Sequence, residues 1–81
     1  MDIKVIGSGC PDCSRLYDNT AEALAELGIP AEITKVGDLV EIVRLGVWSV
    51  PSLMVDGKLL VNGTVASRKE IVRLLKKHMG G

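Results

Sequence analysis

Asp2-Ile3-Lys4-Val5-Ile6-Gly7-Ser8-Gly9-Cys10-Pro11-Asp12-Cys13 is the stretch on which the fold turns. Ile3, Val5 and Ile6 make a short β-prone run, and Gly7-Ser8-Gly9 ends it in a tight loop. Pro11 suits the first turn of a helix, where a missing N–H costs nothing. Leu16, Thr20, Ala23, Leu24 and Leu27 then recur at helical spacing until Gly28 and Pro30 supply the stop. The segment predicts strand, loop and helix, with Cys10 at the loop-to-helix junction. Ala31 to Val36 reads as a second strand, and two strands joined through a helix pair in parallel by a right-handed crossover.

Beyond it, Gly37-Asp38 punctuates the chain, with Asp38 as the N-cap of a short second helix marked by Leu39, Ile42, Val43 and Gly46. Ser52 to Val55 is β-prone, Asp56-Gly57 signals a two-residue hairpin turn, and Lys58 to Val61 returns as the partner strand. Asn62-Gly63 ends the hairpin. Ser67-Arg68-Lys69-Glu70 reads as a capping box opening a last helix, with Ile71, Val72, Leu74, Leu75 and Met79 inward. Arg73, Lys76, Lys77 and His78 fall towards its C-terminus, where cations suit the helix dipole. The expected class is α/β in the order β-α-β-α-β-β-α, a four-stranded mixed sheet with helices on both faces. Residues 1–79 are expected to form a single domain, with 80–81 as a flexible tail.

Composition narrows the function. The 81 residues are 47% apolar and carry ten Lys plus Arg against ten Asp plus Glu, so nothing draws the molecule towards nucleic acid or an anionic membrane. Tyr17 and Trp48 are the only aromatics, too few for a base-stacking surface. No apolar run reaches the length of a membrane span, and Met1 to Gly7 lacks the order of regions of a signal peptide. A reducing cytoplasm is therefore the expected setting. Two cysteines three positions apart are a poor staple there: the chain-entropy gain of so small a loop is only ~2 kcal/mol.

The pair has a chemical reading instead. With Cys10 as N-cap and Pro11 first in the helix, the Cys10 sulfur faces the free N–H groups of Asp12 and Cys13. Those donors and the helix dipole favour the thiolate. A thiol of pKa about 8.5 is only ~3% ionised at pH 7, whereas one at about 6 would be ~90% ionised. Cys10 would attack a disulfide, and Cys13, one turn in, would resolve the mixed disulfide. Asp12 at the second helical position complements the dipole; its charge would also raise the Cys10 pKa slightly and disfavour acidic substrates. A metal site is the rival reading, but structural zinc wants four ligands and the chain offers two cysteines and the distant His78. Two such pairs could bridge chains, and small βαββαβ metallochaperones also place Cys-x-x-Cys after their first strand. Against them stand a helical segment between the second and third strands, and Pro51. A non-catalytic redox sensor is a third alternative.

Trp48-Ser49-Val50-Pro51-Ser52-Leu53-Met54-Val55, taken with Cys10-Pro11-Asp12-Cys13, resembles the thioredoxin and glutaredoxin superfamily in its minimal form. Within it, Gly7-Ser8-Gly9-Cys10-Pro11-Asp12-Cys13 and Val65-Ala66-Ser67 resemble the small archaeal and bacterial redox-active disulfide proteins. The resemblance implies a cis Val50–Pro51 bond beside the cysteines, leaving the Val50 backbone free to pair with an extended substrate; alone, the sequence also suits a trans proline opening a strand. Trp48 would either fill the core against the second helix or wall the substrate groove. Tyr17 reads as a helix-face residue, and Thr64 and Val65 would edge the groove. There are departures. Gly9 precedes the first cysteine, Pro11-Asp12 lies inside the motif, and Lys4 occupies the offset where thioredoxins hold a buried acid. Asn62-Gly63-Thr64-Val65 lacks the acid with which glutaredoxins hold glutathione, and Asp12 replaces their Tyr. The implied protein is a monomeric, cofactor-free thiol–disulfide oxidoreductase. It would exchange with a protein dithiol or disulfide rather than glutathione and be served by an upstream reductase. Cys10 and Cys13 would be catalytic, with Pro11, Asp12, Trp48, Val50, Pro51 and Thr64 on the substrate side.

Overall fold

The computed structural model describes residues 1–7 and 9–80; Ser8 of the glycine loop and Gly81 of the expected tail lie outside the described residues. The elements follow the expected order: β1 (Ile3–Ile6), α1 (Pro11–Leu27), β2 (Ile33–Val36), α2 (Leu39–Arg44), β3 (Ser52–Val55), β4 (Lys58–Asn62) and α3 (Arg68–His78). They form a four-stranded sheet in the order β2-β1-β3-β4. β1 runs parallel to β2 and antiparallel to β3, and β3 runs antiparallel to β4. A bulge between Leu53 and Met54 shifts the last pairing.

Helix termini follow from local chemistry. α1 ends at Gly28 (φ 67°), whose N–H donates to the Ala25 carbonyl while the Ile29 N–H donates to that of Leu24, a glycine-closed helix end. α3 begins at Ser67, whose Oγ accepts from the Glu70 N–H at 3.2 Å. Only half of the capping box forms, because the Glu70 carboxylate turns to Arg73 at 2.6 Å. Asp38 occupies the N-cap position of α2, but its side chain makes no capping bond. The hairpin turn has positive φ at Asp56 and Gly57 (52° and 80°), which matches the right-handed twist of the strands.

The sheet has a core on each face. Ile3, Val5, Leu53, Val55 and Val61 pack against Leu16, Ala23 and Leu24 of α1 and Ile71, Val72 and Leu75 of α3. On the opposite face Ile6, Val36 and Met54 meet Ile42 of α2 and Val47. Helices thus cover both faces, as the alternation of side chains along β1 and β3 requires. Two expectations are corrected. β2 starts at Ile33 rather than Ala31, because the Ala31 N–H bonds back to the Ile29 carbonyl at 2.9 Å and the chain is still turning there. Met79 is not inward but about half exposed, since the helix stops at His78 and Met79 sits at its C-cap.

Register then decides which loops meet. Ile6 pairs with Ser52, so Gly7, which follows Ile6, lies at the same end of the sheet as Pro51, which precedes Ser52. The start of α1 and the Val50–Pro51 segment are brought together there, though 40 residues apart in sequence.

Candidate active site at the start of the first helix

Cys10 is the N-cap of α1, with extended backbone (φ −127°, ψ 149°), and Pro11 follows as the first helical residue. The Cys13 N–H donates to the Cys10 sulfur at 3.2 Å, and the Ser14 N–H donates to the Cys10 carbonyl at 3.4 Å. The sulfur therefore occupies the place where a capping oxygen would sit, in the field of the helix N-terminus. Cys10 and Cys13 are joined as a disulfide, their Cα atoms 5.3 Å apart. Their exposures differ. Cys10 is part-exposed, while Cys13 is 6% exposed. A partner can reach one sulfur and not the other.

Behind Cys13 lies a small cavity of about 120 Å³ whose walls include Val5, Gly7, Ser14, Tyr17 and Lys35. The Lys35 ammonium stands 4.5 Å from the centre of the Tyr17 ring, a cation–π contact. Lys4, at the position where a buried acid was sought, pairs with Asp2 instead. Asp12 is exposed and lies 3.8 Å from Arg15 one turn on, so its charge is partly offset at the surface.

The Val50–Pro51 peptide is cis, as the family resemblance implied. Pro51 is buried and Val50 half exposed. The next residue, Ser52, is fully buried, and its hydroxyl donates to the Ser49 carbonyl at 2.6 Å. It also accepts from the Gly63 N–H at 3.3 Å, which donates as well to the Pro51 carbonyl at 2.9 Å. Ser52 thus ties the loop before β3 to the loop after β4, a role the sequence reading did not assign. A serine opening the apolar run Leu53-Met54-Val55 was the available signal.

Trp48 does not fill the core. It is 86% exposed, and Val47 beside it takes the buried place against Ile42. The short loop between α2 and Pro51 can turn only one of the neighbouring side chains inward, and the smaller one fits. Trp48 instead helps to wall a shallow depression of about 400 Å³ with Leu39, Val43, Val47 and Val50. Leu39, Val40 and Val43 are likewise exposed, so α2 presents apolar side chains outwards next to the cysteines. Thr64 is exposed in the loop that Gly63 anchors to Pro51.

Among the described residues no group of three or more His, Cys, Asp or Glu side chains could hold a metal ion. His78 lies at the other end of the sheet, 2.9 Å from the Asp56 carboxylate. No helix among the described residues is long and apolar enough to cross a membrane.

Residues 1–76 match the family model described as "Thioredoxin domain". The chain is 43% identical over 75 residues to a protein named thioredoxin from Methanothermobacter thermautotrophicus, covering 93% of this chain and 97% of that one. It is 39% identical over 79 residues to a protein of the same name from Methanocaldococcus jannaschii, covering 98% and 91% respectively. A solved structure described as that of a malarial protein shares the fold, with a TM-score of 0.67 and 18% identity over 98% of this chain and 99% of that one.

Proposed function

The chain belongs to the thioredoxin domain family, a family of thiol–disulfide oxidoreductases, and from that premise we propose that it turns over protein disulfides through Cys10 and Cys13. The observation that carries this reading is the pairing of a part-exposed capping sulfur with a buried one a helical turn away. In the dithiol form, the Cys10 thiolate attacks one sulfur of a substrate disulfide R–S–S–R′. A Cys10–S–S–R bond forms and R′–S⁻ leaves, taking up a proton from solvent. Cys13 then gives up its proton and attacks the Cys10 sulfur. The Cys10–Cys13 disulfide forms, R–S⁻ leaves and takes up a proton, and the substrate has gained two electrons and two protons.

The surroundings support a protein rather than a small thiol as partner. Val50, half exposed beside the cysteines, would offer its backbone to an extended chain, and Trp48, Leu39 and Val43 offer apolar surface beside it. The Asn62-Gly63-Thr64-Val65 loop brings no carboxylate with which to hold the amine of glutathione. Pro11 and Asp12 would shape the rim, and Thr64 its far edge. An upstream dithiol reductase in a reducing compartment would return the disulfide to its working form.

Reduction of insulin by the dithiol protein, in the presence of dithiothreitol, tests the proposal. Cys10→Ser should bring the rate down to that of dithiothreitol alone, and Cys13→Ser should accumulate a covalent adduct with the substrate that mass spectrometry detects. Unchanged insulin reduction by both variants would refute it.

A further inference from the structure

We propose that Gly7 is a positioning residue for the resolving sulfur: the hydrogen it carries in place of a side chain keeps open the seat from which Cys13 closes the disulfide. The inference rests on the two-step exchange described above. A β-carbon built on Gly7 would lie 2.8 Å from the Cys13 sulfur and 3.2 Å from the Val50 β-carbon. Carbon and sulfur do not approach so closely without one of them moving. In the closed disulfide the Cys13 sulfur is the buried partner of a four-residue ring, and Val50 is joined directly to the buried Pro51, so the closed state gives the sulfur little room to yield. Gly7 also has φ +126°, and its N–H is held by the Val36 carbonyl at 2.8 Å, which prevents the backbone from swinging aside.

Three functions therefore converge on one residue without a side chain. The sulfur that must attack and the chain segment offered to the substrate both come close to where its β-carbon would sit. The end of β1 holds it in place. A methyl group here would part the resolving sulfur from Val50 and turn it away from Cys10. Closure requires Cys13 to lose its proton, attack the Cys10 sulfur in line with the Cys10–S–S–R bond, and expel R–S⁻. Misplacing the attacking atom by about 1 Å costs up to ~100-fold in rate. The first step, attack by Cys10, does not involve Cys13 and feels the methyl only through Val50, so it should be slowed less than closure.

Gly9 supplies the control. It too has positive φ (+73°), but a β-carbon there would meet no described atom within 4 Å. Gly9→Ala carries backbone strain without the collision. The experiment follows both steps with a disulfide-bonded peptide whose release is fluorescent. It measures formation of the mixed disulfide by quenched mass spectrometry and its decay to the Cys10–Cys13 disulfide. Gly7→Ala is expected to slow decay about 10- to 100-fold more than it slows formation, so that the mixed disulfide accumulates. Gly9→Ala should decay at the parental rate.

Parental decay in Gly7→Ala, or equal slowing of decay in both variants, overturns the proposal while leaving the exchange reading intact. A parent protein that never forms the mixed disulfide overturns both. If Gly7→Ala does not fold, adding Cys13→Ala removes the sulfur from the collision. That double variant is then expected to regain a cooperative urea transition, and failure to regain one counts against the proposal.

Discussion

Two helices of this protein begin in the same way and to different ends. At α1 the Cys10 sulfur accepts the Cys13 N–H at 3.2 Å; at α3 the Ser67 hydroxyl accepts the Glu70 N–H at the same distance. Both caps have extended backbone and both are followed by a first turn carrying an acid. The N-terminal amides thus favour electron density at both places. At Ser67 this only fastens a helix end, since a hydroxyl stays protonated. At Cys10 the same donors would act, in the dithiol form, on a thiol, whose anion is the nucleophile of the proposed exchange. The surroundings complete the difference: Ser67 stands on an exposed surface, while Cys10 has a second sulfur at the N3 position and the Val50–Pro51 segment nearby. On the proposed function, a common helix-start device becomes reactive through one change of atom and a neighbour supplied from elsewhere in the chain.

The contrast is broken most directly by exchanging its atoms. Cys10→Ser keeps an oxygen cap and should keep the fold, with stability within ~1 kcal/mol of the reduced parent in urea denaturation. Exchange with an insulin disulfide should nevertheless fall to background. Loss of fold alongside loss of exchange would mean that the sulfur was holding the helix.

A smaller effect is expected at Ser52, which supports the loop facing one cap and has no counterpart at the other. Ser52→Ala strips the Ser49 carbonyl and the Gly63 N–H of a part-buried partner and should cost about 1 kcal/mol, read as a lower urea midpoint at unchanged slope. No larger is Ser67→Ala, expected to cost ~1 kcal/mol in stability and to leave the exchange rate alone. A fall in exchange rate would show the two caps to be coupled, for which the Asn19 side-chain bond to the Ala66 carbonyl, from α1 to the loop before α3, provides the only described hydrogen-bonded route.

The least effect is expected at the hairpin end of the sheet, remote from both caps. The Asp56 carboxyl is held below its ordinary value of 3.8, first by the Asp2 N–H and then by the His78 ring. A carboxyl depressed on folding contributes stability that is fully present above that ordinary value and is lost as pH falls through its lower folded-state value. Asp56→Asn, which tolerates the positive φ of this turn, should flatten that acid limb in thermal melts taken from neutral pH down through pH 3.8. The difference between variant and parent should be largest above that pH and shrink below it. A constant difference would assign the effect to the turn instead of the charge.

The caps also show where sequence reading suffices. Cys10, Pro11, Ser67, Gly28 and the Asp56-Gly57 turn were legible because each acts within four or five residues, at the range of a single hydrogen bond or dihedral. The order of elements followed, and so did the two cores, since alternation along Ile3 to Ile6 and Ser52 to Val55 commits one side of each residue to each face. The site was half legible. Its two sulfurs were readable from spacing, and Pro51 only through likeness to a family. For Trp48 only the core-filling alternative fails, because hydrophobicity is a reason for burial but not a guarantee of room: next to Ile42 the space went to Val47. Ser52 went unassigned because both of its partners, Ser49 O and Gly63 N–H, are backbone groups, which no side-chain pattern announces.

What this sequence determined by itself was local and periodic: where the chain extends, where it coils, and which sulfur sits at a helix start. The tertiary structure alone decided that Gly7 would lie against both the Cys13 sulfur and Val50. That placement depends on the register of Ile6 against Ser52. That register is set by the whole sheet at once, because shifting it by one residue would turn every buried side chain of β3 to the wrong face.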